Sequence, residues 1–219
     1  MTFSFVPSAL SATVVALACL ATTAQAQAPA NGSVALPAAA NNAASVTAPQ
    51  VVAHYAHLVH SNYSDTLAAA KAMQTAISAF TSQPSAATLA EARKTWLAAR
   101  EFYGQTEAFR FYGGPIDNDN GPEGRINAWP MDESFVDSVQ GKASAGLVNN
   151  RKFAITKKNL SAQNERGGEE NIATGWHAIE FFLWGQDVSD TGPGERSFED
   201  FVDGKAPNAD RRRQYLNVV

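Results

Sequence analysis

The sequence predicts an all-α protein, a helical bundle, and three observations carry that prediction. Apolar residues recur at steps of three and four along two long stretches. No segment keeps up the two-residue alternation of a half-buried strand. Pro84 and the Gly113-Gly114-Pro115 run fall between the periodic stretches, where they punctuate helices instead of interrupting them. Helices of this kind bury their apolar stripes against one another.

The chain has 219 residues and a net charge of −4, yet no Asp, Glu, Lys or Arg precedes Asp65. Such asymmetry asks first for a targeting reading. Val14 to Ala26 form a short apolar run ending in Ala24-Gln25-Ala26, the small-x-small pattern that precedes signal-peptidase cleavage. The run is too short to span a bilayer as a helix. Residues 1–26 are therefore expected to be a signal peptide, although only the amino terminus supplies positive charge ahead of the apolar stretch. The one cysteine, Cys19, lies inside it, so a cleaved chain has neither thiol nor disulfide. The competing reading keeps Cys19 as a lipidated first residue, but Leu17 stands one position from where a lipobox places it. Residues 27–48, rich in Ala, Asn, Pro, Ser and Gly, are expected to form a disordered tether. The folded bundle is expected over 49–219.

The first helix is expected from Val51 to Phe80, with Val52, Tyr55, Val59, Tyr63, Leu67, Ala70, Met73, Ile77 and Phe80 on one face. Pro84 breaks it, and Ser85 caps a second helix that carries Leu89, Ala92, Trp96, Ala99 and Tyr103 and ends at Gly113-Gly114-Pro115. The segment from Pro115 to Pro130 reads as a long irregular loop, and loops of that length in compact domains are usually functional. Asp132 can cap a short helix through Phe135 and Val136. A poorly patterned piece follows near Phe153 to Leu160. A strong helix is expected from about Glu169 to Trp184, stopped by Gly185. After Asn208 another amphipathic helix begins with Arg211, Tyr215 and Leu216.

Two helices carry polar groups that a plain bundle does not need. Arg100, Glu107 and Arg110 continue the apolar stripe of the second helix. They read as a structural ion pair, or as an exposed end of the stripe where Phe102 and Phe109 face the core instead, or as part of a polar pocket lined by Glu107. On the last helix His177 and Glu180, three apart, can converge on one ligand, beside Phe181 and Trp184. An imidazole and a carboxylate at that spacing are half of a metal site, or simply a hydrogen-bonded pair. The zinc-peptidase pattern His-Glu-x-x-His is absent, since Ala178 follows His177 and position 181 is Phe181. The acidic loop around Asp117 and Asp119 lacks the register of an EF-hand. His54, His57 and His60 read as solvated surface. The basic run Arg211-Arg212-Arg213 is isolated in an acidic chain, which argues against nucleic acid as a partner.

Several blocks of the sequence resemble the imelysin-like family. Gly175-Trp176-His177-Ala178-Ile179-Glu180 fits its GxHxxE motif, within NIATGWHAIEFFLWGQD. The blocks YGQTEAFRFYGGPIDNDNGPEGRINAWPMDESFVD and DGKAPNADRRRQYL are similar to others of the family, and the resemblance runs from about Tyr55 to Leu216. It implies the amino-terminal half of a two-domain helical architecture, with the second helical domain missing and any site between the domains incomplete. It also implies export to the periplasm or outer membrane, with membrane association, and a role in iron uptake. The expected ligand is iron or another divalent metal ion, or a metal-bearing partner among the iron-transport components of the envelope. By position, the resemblance offers His177, Glu180 and Glu107 as metal residues, supported by Gly175, Arg110 and Arg125. Two alternatives stand beside it: a metallopeptidase, for which the family has a label but this sequence lacks a full catalytic zinc signature, and a structural or adhesion bundle with no metal site. No catalytic residue follows from either.

The targeting segment yields a direct test. Expression in a Gram-negative host should give a mature chain beginning at Gln27. An intact amino terminus, or a lipid on Cys19, seen by mass spectrometry contradicts that expectation.

Overall fold

A computed structural model describes residues 45–219. The expected signal peptide with its cleavage site and Cys19, and the expected tether up to residue 44, lie outside the described residues. The first helix, α1 (Ala48–Ser82), begins just ahead of the apolar stripe that opens at Val52 and well before the first charged side chain, Asp65. Pro84 cannot continue it, and Ser85 starts α2 (Ala86–Gln105) by accepting a hydrogen bond from the Thr88 amide at 3.2 Å. The short connection makes the two an antiparallel hairpin.

The apolar stripe of α1 is buried only in its second half. Met73, Ile77 and Phe80 are in the core, whereas Val52 is 67% exposed and Tyr55 43% exposed. Length explains the difference: at about 1.5 Å per residue α2 cannot cover all of the longer α1, and the first turns of α1 extend past its end. Tyr55 meets the ring of Phe109, edge to face at 5.7 Å. His54, His57 and His60 are all exposed, as their phase suggested.

Downstream of α2 the chain is mostly turns and short helices: α3 (Glu123–Ile126), α4 (Glu133–Val136), α5 (Gly146–Asn149), α6 (Lys157–Gln163), α7 (Trp176–Trp184) and α8 (Ala209–Val218), with 3-10 turns at Thr106–Phe109 and Phe198–Phe201. Among the described residues the nearest thing to a strand is an isolated bridge between Val139 and Lys142. Three expected boundaries move. The second helix stops at Gln105 and tightens into the Thr106–Phe109 turn well before Gly113, because Thr106 donates its hydroxyl to the Tyr103 carbonyl at 2.6 Å. The poorly patterned piece forms α6, capped by Thr156. The last strong helix starts at Trp176, not near Glu169, so Ile172 is buried from a loop.

Aromatic side chains tie the short elements to the hairpin. Trp96 of α2 lies 6.1 Å from Trp176 and 5.3 Å from Trp184, at the two ends of α7. Phe80 of α1 packs on Phe201 at 4.7 Å, and Phe182 of α7 on Tyr215 of α8 at 4.7 Å. The buried Tyr215 hydroxyl donates to the Ala173 carbonyl at 2.8 Å, and burial raises its pKa far above the ordinary phenol value.

The centre of this half is ionic. Asp137, at the end of α4, is fully buried and accepts from Arg212 Nε at 2.6 Å, Arg212 Nη2 at 3.1 Å and Arg196 Nη1 at 3.0 Å. Burial alone would push its carboxyl up, but the Arg212 hydrogen bond and the charges of Arg196 and Arg212 outweigh it and hold the pKa below the usual range. The rest of the basic run is equally absorbed. Arg211 donates to the carbonyls of Leu147, Val148, Asn150 and Phe153, and Arg213 to the Phe201 carbonyl and Asp203. Three consecutive arginines that resemble a basic patch are structural ties.

Removing the carboxylate should therefore be costly. Asp137→Asn is expected to lower stability at pH 7 by about 3–5 kcal/mol, the scale for breaking a buried ion pair. Because the folded pKa lies below the unfolded value, the carboxylate's contribution is complete above the ordinary carboxylate pKa of about 3.9 and is lost as pH falls through the lower folded value. Urea unfolding of both proteins should show a constant gap at neutral pH that narrows from about pH 4 downward. A gap that stays constant into strong acid would contradict the charge assignment.

Candidate functional site

The start of α7 is fixed by a close approach of two backbones. Gly175 precedes the helix with φ +90°, and a Cβ there would stand 2.3 Å from the Ile126 carbonyl oxygen at the end of α3. Only glycine accepts both that conformation and that contact. Asn164 locks the junction: its amide donates to the Gly124 carbonyl at 2.7 Å, while its oxygen accepts from Ala173 N at 2.9 Å and Thr174 N at 3.2 Å. Thr174 in turn donates its hydroxyl to the Arg125 carbonyl at 2.8 Å.

The other end of α7 is closed by Gly185 at φ +74°, whose amide donates to the Phe181 carbonyl at 2.8 Å. Arg93 of α2 donates to the Leu183 carbonyl at 2.9 Å and to the Arg196 carbonyl at 2.9 Å, and lies over the Trp184 ring. A cation on the last carbonyls of a helix suits both their unmet hydrogen bonds and the helix dipole. Arg196, already held by Asp137, rests 4.9 Å from the centroid of Phe181. Both ends of α7 are thus clamped, so its side chains have fixed directions.

One face of α7 goes to the core through Trp176, Ala178, Ile179, Phe182 and Leu183, all buried. The other presents His177 and Glu180, whose Nδ1 and Oε2 are 3.0 Å apart, with side chains 19% and 43% exposed. They line a cleft of about 420 Å³ with Trp96 and Leu97 of α2, and with Trp129, Met131 and Glu133 from the segment leading into α4. Asp187 completes the acidic wall. The Glu133 pKa is raised, first by burial; Arg196 pulls it back, while Asp132, Asp187 and Glu180 add to the rise. The cleft is accordingly aromatic and negative, a setting that attracts cations.

Not all of the sequence-derived site residues meet there. Glu107 is not on the cleft: it pairs with Arg110 at 2.7 Å. Arg110 is buried between Glu107 and Glu123, and Tyr103 donates to the same Glu123 at 2.9 Å. Burial pushes the Tyr103 phenol up to about 12, against the lowering effect of Arg110 and Arg100. Arg110 ties the Pro115–Pro130 loop through Glu123 and forms an ion pair with Glu107, while the exposed-end reading fails, since Phe102 is 41% exposed and Arg110 is buried. Arg125 lies on the far side of the α7 start, and Gly175 is the hinge between the two flanks. Glu133 and Asp187 were missed in the sequence. Their signal was present but faint, since Glu133 falls in the block containing Trp129-Pro130-Met131 and Asp187 in the one containing His177. Nothing in the spacing says that these blocks share a cleft.

The sequence model described as Imelysin, which also carries a peptidase label, matches residues 59–219. The chain belongs to the imelysin family. Within this imelysin, the GxHxxE motif is the clamped start of α7, and its His and Glu are the pair on the cleft. The chain is also similar to Iron-regulated protein A of Synechococcus elongatus, 30% identical over 109 residues, a stretch covering 46% of this chain and 30% of that protein. The match thus spans less than a third of the relative's own length.

The Gly175 contact can be tested without knowing any ligand. Gly175→Ala should destabilise the protein by at least the roughly 1–3 kcal/mol of a left-handed non-glycine residue, with the carbonyl clash added. A thermal unfolding midpoint equal to that of the unaltered protein would show that Gly175 is not the constraint.

Proposed function

We propose that this imelysin is an exported binding protein of the bacterial cell envelope with a role linked to iron, and that its acidic aromatic cleft holds a metal centre through His177 and Glu180. The observation that carries the proposal is the pair itself, two donors 3.0 Å apart on a clamped helix at the edge of a cleft walled by further carboxylates. That separation is about the edge of an octahedron with metal–ligand distances near 2.1 Å. The resemblance to an iron-regulated protein supports iron as the metal concerned, and the apolar run before Gln27 supports export.

The donor set also defines what kind of ligand fits. Among the described residues no group of three or more His, Cys, Asp or Glu is placed to hold a metal ion. Two protein donors leave most of a coordination sphere to be filled from outside, so the arrangement suits an ion that arrives with its own ligands, on a chelator or a protein of the iron-transport machinery, better than a bare ion. Glu133, raised in pKa and in the same cleft, can hydrogen-bond such a ligand or supply negative charge toward it. A metallopeptidase requires three protein ligands, an open position and a base. The family's peptidase label is addressed by the same experiment.

Calorimetric titration of ferrous iron, zinc and ferric citrate into the full chain, His177→Ala and Glu180→Gln is the test. Binding of the chelated ion should exceed that of the bare ions, and each substitution should weaken it by about tenfold or more, the scale on which metal sites respond to their immediate surroundings. Binding indifferent to both substitutions would refute the site. Metal-dependent peptide hydrolysis lost in His177→Ala would establish an enzyme instead.

A further inference from the structure

The opposite flank of α7 borders a second cleft with the reverse chemistry. Its volume is about 690 Å³, inside the roughly 300–1,000 Å³ range of small-molecule sites. Leu67 and Met73 of α1, Ile126 of α3, and Trp176 and Ile179 of α7 form its walls. Leu67 is 56% exposed, whereas Met73, Trp176 and Ile179 are buried, so the cleft opens to solvent beside Leu67 and has the edge of the core as its floor.

No Asp or Glu side chain lines this cleft, and its charged side chains are Arg125 and Lys157. Neither has an acidic partner among the described residues. The guanidinium of Arg100 stands 5.2 Å from the centroid of Tyr103, which lines the cleft, and adds positive charge behind it, whereas the charge of Arg110 is met by Glu107 and Glu123. Tyr63 also lines the cleft, with its hydroxyl turned away from solvent and without a hydrogen-bond partner.

We infer that this cleft binds an amphipathic organic anion, its apolar or aromatic body against Trp176, Leu67 and Met73 and its carboxylate or sulfonate at Arg125 and Lys157. Sign and shape select the ligand together. A neutral molecule of the same shape forgoes the two cations, and a cationic one is repelled by them and drawn to the acidic cleft on the other flank. The site is separate from the His177 and Glu180 pair, so the two assignments stand or fall independently.

The probe is 8-anilinonaphthalene-1-sulfonate, titrated into the full chain by fluorescence, with decanoate, decanol and decyltrimethylammonium as competitors. Saturable binding at one site is expected, displaced by decanoate and about tenfold less effectively by the other two. Reversing both charges, Arg125→Glu with Lys157→Glu, should weaken the probe by about tenfold with no change in unfolding midpoint, because both side chains are exposed. Ala70→Trp, which fills the cleft from α1 and leaves the charges in place, should abolish binding. His177→Ala should leave it unchanged. Unsaturable binding, indifference to charge reversal, or equal displacement by the cation overturns the inference. So does light scattering that shows a dimer dissociating as the probe binds, which would assign the cleft to a second copy of the chain.

Discussion

Asp137 is a carboxylate sealed from water, and two other segments of the chain supply its charge partners. It sits at the end of α4, Arg196 arrives on the loop after α7, and Arg212 comes from α8. A buried charge without partners costs several kcal/mol, so these segments can only be placed together. Once they are, consequences spread outward. Arg196 carries its guanidinium onto Phe181 and its backbone onto Trp184 and Arg93, which closes the carboxyl-terminal end of α7. Arg212 brings α8 with it, and Tyr215 of that helix then reaches the Ala173 carbonyl just ahead of the other end.

A nine-residue helix is marginal alone, yet α7 is the shared wall of two unlike clefts. The acidic cleft uses His177 and Glu180, while the cationic one uses Trp176 and Ile179, a partition that follows from helical phase. Gly175 makes both possible, since its contact with Ile126 brings the Pro115–Pro130 loop region against the helix start. That region places Trp129, followed by Met131 just beyond its end, on one flank and offers Arg125 and Ile126 on the other. The long loop anticipated from its prolines and glycines is therefore the element that gives each cleft its second side.

The helical class and the α1–α2 hairpin were legible in the sequence because they rest on local facts: the stripe through Met73, Ile77 and Phe80, the break at Pro84 and the cap at Ser85. The pairing of His177 with Glu180 was legible for the same reason, as a three-residue step on a helix. What depended on distant partners was not. The residues from Glu169 to Gly175 carry a helical pattern, but Asn164 takes the amides of Ala173 and Thr174 for its own oxygen, and Ile172 is buried from a turn. Glu107 matched by position, but the ion pair with Arg110, one of the readings its place on the stripe allowed, holds it away from the cleft. Glu133 and Asp187 enter the site through the Asp137 cluster, whose members are 59 and 75 positions apart in the chain, beyond the reach of any periodicity.

If the ionic cluster holds α7 in place, weakening it must loosen a defined set of amides before the protein unfolds. Native-state hydrogen exchange of the unaltered chain and Asp137→Asn, under conditions where both remain folded, measures this residue by residue. Protection should fall selectively in the last turns of α7, the 185–197 loop and α8, while α1 and α2 keep theirs up to the lower global stability. Uniform loss across the hairpin and α7 alike, or unchanged protection at Phe181 to Gly185, would mean that something other than Asp137 fixes the helix that carries His177 and Glu180.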